Sequence, residues 1–130
     1  MKLKILVINA NYYKKISLSL STKANNILNK KAKYKTIFVP GVFEIPVVIA
    51  KNIKKYDGFI ALGCVIKGET PHFEFISNAT TNAIMQMSID YKKPIGNGII
   101  TCLNMKQAVA RSKTKGQEAT IAVLSILNLF

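Results

Sequence analysis

The stretch Lys67-Gly68-Glu69-Thr70-Pro71-His72-Phe73-Glu74 gathers more chemically capable residues than any other part of the chain. A glycine followed by a capped helix start leaves backbone N–H groups unpaired at the positive end of a helix dipole, which suits a phosphate or a carboxylate. Many helix starts look alike, so this pattern alone is a weak signal. His72 is the only histidine. It falls two residues past Thr70, on the first turn, where an imidazole reaches whatever the N–H groups hold and can move protons near neutral pH. A lone histidine is more often structural than catalytic, but this location reverses that expectation.

Three other segments carry unusual residues. Arg111 is the only arginine beside 18 lysines. An arginine on a helix is usually a solvated charge, yet a chain that otherwise relies on Lys points to a site needing the planar, bidentate guanidinium, and phosphate is its natural partner. Lys115 and Glu118 follow closely. In Pro40-Gly41-Val42-Phe43-Glu44-Ile45-Pro46, Glu44 stands at a helix start, where it either complements the dipole or accepts hydrogen bonds from a polyol or amine. In Asn9-Ala10-Asn11-Tyr12-Tyr13, adjacent tyrosines offer a stacking surface for a flat ligand, with Tyr13 the better candidate for simply covering the end of a sheet. Together these residues describe an anion subsite, one proton-transfer group, and a wall of aromatic and carboxylate groups. No glycine-rich dinucleotide fingerprint, P-loop or metal-ligand cluster accompanies them.

Positioning them requires alternating strands and helices. Apolar runs at Leu3–Asn9, Tyr34–Val39, Gly58–Ile66 and Ile95–Thr101 read as strands buried on both faces. Helical patterns occupy Lys14–Lys31, with apolar residues Ile16, Leu18, Leu20, Ala24, Ile27 and Leu28, and Ile45–Lys55, with Pro46 in its first turn. A third helix opens at Thr70-Pro71 and runs to Tyr91, and helices from a capping box at Asn104 and Gln107 to Leu127 close the chain. Four β-α units in one domain over residues 1–130 predict an α/β fold of three layers, a doubly wound parallel four-stranded sheet. Ligands of such sheets bind beyond the carboxyl ends of the strands, where all four unusual segments fall.

Composition narrows the function further. The 130 residues are 49% hydrophobic, too many for a disordered tail, and hold no apolar run long enough to span a membrane. The N-terminus reads as a strand and not a secretory signal, so a cytoplasmic location is expected. Cys64 and Cys102 lie in apolar runs without metal-ligand spacing and read as core residues. The net charge of +13 is the usual footprint of a nucleic-acid or membrane partner. However, the lysines are scattered along the sequence and no recognition motif accompanies them, so neither partner is expected and the lysines read as compositional background.

The motifs PGVFEIP (40–46), ALGCVIKGETPHFEF (61–75), PIGNGIIT (94–101), QAVAR (107–111) and KGQEA (115–119) resemble those of the lumazine synthase family over nearly the whole chain. That resemblance implies a flavodoxin-like sheet and a transferase of riboflavin biosynthesis. It would condense 5-amino-6-(D-ribitylamino)uracil with 3,4-dihydroxy-2-butanone 4-phosphate, giving 6,7-dimethyl-8-ribityllumazine, phosphate and water, with no cofactor or metal. A non-catalytic flavin- or lumazine-binding protein of the same fold is the alternative.

Carried over by position, the resemblance makes Tyr12 the partner of the pyrimidine ring and gives the ribityl chain to Val42, Phe43 and Glu44. Cys64, Val65 and Ile66 would meet the pyrimidine through their backbone, and Gly68, Glu69 and Thr70 would bind the phosphate. His72 would shuttle protons and Arg111 would clamp the phosphate. Asn97, Arg111, Lys115 and Glu118 would reach the site from a neighbouring subunit of a homopentamer.

Overall fold

The computed structural model describes residues 3–69 and 71–129. The chain runs β1 (Lys4–Ala10), α1 (Lys14–Leu28), β2 (Lys33–Val39), a 3₁₀ turn (Val42–Glu44) leading into α2 (Ile45–Asn52), β3 (Gly58–Ile66), α3 (His72–Tyr91), β4 (Ile95–Cys102), α4 (Met105–Ser112) and α5 (Lys115–Ile126). The strands form one sheet in the order β2-β1-β3-β4, every pair parallel. The chain steps outward from β1 to β2, then returns across β1 to β3. That reversal opens a crevice at the carboxyl ends of β1 and β3, the place where such sheets bind ligands.

Alternation along the strands builds both cores. Ile5 and Val7 of β1 face α1, α4 and α5 with Leu20, Ala24, Val123 and Leu124, whereas Leu6 and Ile8 face the opposite side with Ile45, Ile49 and Ile84. All six residues from Ile5 to Ala10 are buried, because an interior strand covered by helices on both faces has no wet side. Each fully buried Leu or Ile contributes about 1.5–3 kcal/mol of transfer free energy. Gly96 lets α5 lie directly on β4, since a Cβ there would collide with the Ala119 carbonyl oxygen.

Element boundaries differ from the sequence reading in informative ways. α1 stops at Leu28, and Lys30 and Lys31 turn back on Ile27 and Leu28 carbonyls. Its inner face is Ile16, Ser17, Leu20, Ser21, Ala24 and Leu28, while Leu18, expected on the apolar stripe, faces outward. Spacing by three and four residues places serines inside where hydropathy alone would choose Leu18. α3 begins at His72, directly after Pro71; its expected cap, Thr70, lies outside the described residues. Asn104 does cap α4, its Oδ1 accepting from the Gln107 N–H at 2.9 Å, and Gln107 Oε1 accepts the Leu103 N–H, one residue before the usual capping-box donor.

Candidate active site

The carboxyl ends of β1, β2 and β3 surround a cavity of about 380 Å³, a size suited to a small ligand. Tyr12 and Tyr13 border it from the β1–α1 loop, Val42, Phe43 and Glu44 from the turn after β2, Cys64, Val65 and Ile66 from the last residues of β3, and His72 from the start of α3. Eight residues selected from three distant sequence motifs, Tyr12, Val42, Phe43, Glu44, Cys64, Val65, Ile66 and His72, therefore line one space.

Each wall has a local cause. Asn9, fully buried near the end of β1, donates from Nδ2 to the Ser17 carbonyl at 3.1 Å and accepts from Ser17 Oγ at 2.7 Å, fixing the first turn of α1 to the strand. The Asn11 N–H donates to the Val39 carbonyl at 3.0 Å, holding the intervening loop against β2. Tyr12 emerges from this anchored loop 74% exposed, its ring edge-on to Tyr13 at 4.9 Å. Tyr13 is half-buried against the core residues beneath, and this burial, with the Cys64 thiol beside it, pushes its phenol upward in pKa. The Glu44 carboxylate folds back over Gly41, so close that a Cβ there would stand 3.2 Å from Oε1. Phe43, 62% exposed, leaves an aromatic face beside that acceptor.

The floor is tight and apolar. A Cβ on Gly63 would lie 2.6 Å from Val42 Cγ1 and 3.1 Å from Ala10 Cβ, so only glycine lets the turn after β2 settle against β3. Cys64 is buried, and that burial first, then the neighbouring Cys102, pushes its thiol up to about 12. It remains neutral at physiological pH and is not an activated nucleophile.

The cationic half lies apart. Arg111, Lys115 and Glu118 line a second cavity of about 270 Å³ with Ile99, Ile100, Thr101 and Thr114 at the β4 edge, and none of these residues borders the first cavity. Arg111 Nη1 donates to the Thr101 carbonyl at 2.9 Å, which aims the guanidinium along the end of β4 and leaves it exposed. Gly68 and Glu69 line a third cavity with Lys67, Pro71, Phe73 and Glu74. Asn97 sits exposed on the outer strand, where its Oδ1 accepts the Ile99 N–H at 3.1 Å. Thr70 lies outside the described residues.

Sequence reasoning did not select Gly41 or Ile76, which also line the first cavity, or the Asn9–Ser17 pair behind it. An asparagine inside an otherwise aliphatic strand was the available clue to the pair. Ile76 carries no chemical signature, and only the turn of α3 brings it inward.

The family model described as 6,7-dimethyl-8-ribityllumazine synthase matches residues 2–130. Relatives bearing that same name include a protein of Bartonella henselae, 46% identical over 137 residues covering 98% of this chain and 88% of its own. One from Bartonella tribocorum is 44% identical over 133 residues, covering 96% and 88%. A third, from Agrobacterium fabrum, is 39% identical over 137 residues, covering 96% and 93%.

Proposed function

The chain belongs to the 6,7-dimethyl-8-ribityllumazine synthase family, and from that premise we infer which of its residues perform the family's condensation and how they are brought together. The reaction joins 5-amino-6-(D-ribitylamino)uracil to 3,4-dihydroxy-2-butanone 4-phosphate. The pyrimidine amine attacks the ketone and an imine forms with loss of water; phosphate then leaves, and ring closure releases a second water. Several protons move and a dianion departs, so the protein's task is to hold two substrates together, relay protons and stabilise the leaving group.

The first cavity takes the pyrimidine. Tyr12 presents its aromatic face to the ring, Val42, Phe43 and Glu44 hold the ribityl chain with Glu44 accepting its hydroxyl hydrogen bonds, and backbone groups of Cys64, Val65 and Ile66 meet the heterocycle edge. His72, bordering the same space, is the proton shuttle. Gly68, Glu69 and Thr70 bind the butanone phosphate, and Arg111 clamps it as it leaves, with Lys115, Glu118 and Asn97 beside it. Residues 1–130 act as one catalytic domain.

The observation that carries this reading is the separation of the two halves. Within one chain the tyrosine, glutamate and histidine line one cavity and Arg111 lines another. A complete site forms when the β4 edge of a second copy faces the first cavity, as in a ring of identical subunits, and a homopentamer of cytoplasmic enzyme is the assembly we infer. The surface of α3 supports a covered state. In this 20-residue helix Thr80 and Ile84 are the buried residues, while Phe75, Met85 and Ile89 are each at least 60% exposed, a large apolar face for an unpartnered helix.

The decisive experiment mixes both substrates with the purified protein and follows a fluorescent lumazine and free phosphate, alongside sedimentation to size the assembly. Catalytic release of both products by a pentamer or a multiple of it is the expected result. Stoichiometric ligand binding without phosphate release would instead identify a non-catalytic lumazine-binding protein, and activity in a monomer would overturn the shared site.

A further inference from the structure

Among the described residues, nine lysines collect at one end of the molecule, the end opposite the candidate active site. In a parallel βα fold every helix-to-strand turn lies at the amino ends of the strands. The α1–β2, α2–β3 and α3–β4 turns each carry a consecutive pair, Lys30-Lys31, Lys54-Lys55 and Lys92-Lys93. The register of β1 and β2 then places Lys4 opposite Lys33 and Leu6 opposite Lys35, so these three lysines leave the strand starts on one face. They border a small hollow with Tyr34 and Tyr56, and Lys4 Nζ lies 5.9 Å from the centre of the Tyr56 ring.

Hydrogen bonds join the turns into one continuous surface. The Asp57 N–H donates to the Lys4 carbonyl at 2.8 Å, the Lys33 N–H to the Leu3 carbonyl at 3.2 Å, and Lys93 Nζ to the Ile53 carbonyl at 2.6 Å. Asp57 and Asp90 are the acids of this end, and both are engaged: Asp57 Oδ2 accepts the Lys4 N–H and Asp90 Oδ1 accepts from Gln86. The other four acids, Glu44, Glu69, Glu74 and Glu118, belong to the opposite end.

Helix dipoles and edge protection explain part of this pattern. A cation near a helix C-terminus is favourable, as Lys93 over the α2 carbonyl illustrates, and lysines discourage edge-to-edge pairing of β2. Neither accounts for two lysines in all three turns, nor for Lys4 directly across from Lys33, since like charges opposed on a sheet destabilise it. An anionic partner removes that repulsion.

We propose that the amino end of the sheet binds nucleic acid through its phosphate backbone without reading bases. The chain's one guanidinium, the usual bidentate reader of guanine, is at the other end. The turns at 29–32, 53–57 and 92–94 expose no large apolar side chain that would anchor in a bilayer. Tyr34 and Tyr56 beside these lysines are half-buried against the two cores, so the contacts fall to the lysines and the phosphates.

Titration of a fluorescein-labelled oligothymidylate at several salt concentrations tests the proposal. About six contacts at roughly 0.7 each give a log–log salt slope near −4. Substituting Lys30, Lys35, Lys54, Lys55 and Lys92 by Gln should weaken binding at least tenfold at low salt and flatten the slope. Substituting Lys14, Lys15, Lys23, Lys106 and Lys113 by Gln leaves the same net charge and should change affinity by less than threefold. Lumazine formation should persist in both variants. As a milder probe, Lys54→Gln with Lys55→Gln should flatten the slope by about 1.4, two contacts' worth. Equal losses in the two five-site variants would assign the effect to net charge, and absent binding at low salt would also overturn the proposal. So would binding to phosphatidylserine vesicles with none to the oligomer.

Discussion

Asn9 and Ser17 satisfy each other inside the interface of β1 and α1: the Ser17 hydroxyl donates to the Asn9 carboxamide oxygen at 2.7 Å, and the amide nitrogen returns a bond to the Ser17 carbonyl. Both residues are buried. Ser17→Ala leaves a buried amide oxygen without a donor and should cost about 1–3 kcal/mol in urea unfolding, whereas Asn9→Leu combined with Ser17→Ala, which removes both polar partners, should cost less than the single change. A double variant less stable than Ser17→Ala would show that the pair is not the unit of stabilisation.

Gly63 and Gly68 make opposite predictions five residues apart. A methyl on Gly63 meets Val42 Cγ1 at 2.6 Å, while one on Gly68 has nothing within 4 Å. Gly63→Ala should destabilise by about 1–3 kcal/mol and weaken pyrimidine binding by displacing Val42. Gly68→Ala should shift stability by no more than about 0.5 kcal/mol. Chemical denaturation of both variants checks the contrast.

The Cys64 thiol is raised by burial from its usual 9.0 to about 12. The folded chain therefore holds this proton more tightly than the unfolded chain. The group's contribution to stability is complete below about 9 and declines as pH rises from there toward about 12. Cys64→Ala should lose that component, giving a shallower fall in unfolding free energy between pH 8 and pH 10.5 than the parent. Alkylation by iodoacetamide at pH 8 should be slow in the folded protein and rapid in denaturant.

Arg111 and His72 should fail in different ways. Arg111→Lys keeps the charge but loses the bidentate fork, so KM for the butanone phosphate should rise while KM for the pyrimidine changes little. His72→Ala should lower kcat by about 10–10³-fold. Steady-state kinetics with each substrate varied in turn separates the two, and unchanged constants in either variant would remove that residue from the proposed machinery.

Much of this architecture was legible from the sequence where local and global requirements agree. Gly58–Ile66 was readable to the residue because a continuous aliphatic run is bounded by Asp57 on one side and Lys67-Gly68 on the other. The end of α1 was not, because Asn29-Lys30-Lys31 contains no Gly or Pro, and its turn is made by backbone bonds to Ile27 and Leu28 together with the side-chain bond from the Tyr34 hydroxyl to Asn29 Oδ1. The site residues were visible as types, yet their division among three cavities depends on the tertiary arrangement, which places β4 at the edge and β1 inside. The lysine pairs were hidden for the same reason. Lys30-Lys31, Lys54-Lys55 and Lys92-Lys93 are scattered in sequence and become neighbours only because each crossover returns to the same end of the sheet.

The interior position of the first strand also bears on how the chain is made. Lys4–Ala10 leaves the ribosome before either strand that completes its edges, Lys33–Val39 on one side and Gly58–Ile66 on the other. Until translation has passed Ile66, the nascent chain carries an aliphatic strand with an open hydrogen-bonding edge, the feature most prone to mispairing with a neighbouring polypeptide. Pauses in synthesis before that point should raise aggregation, and pauses after it should matter far less.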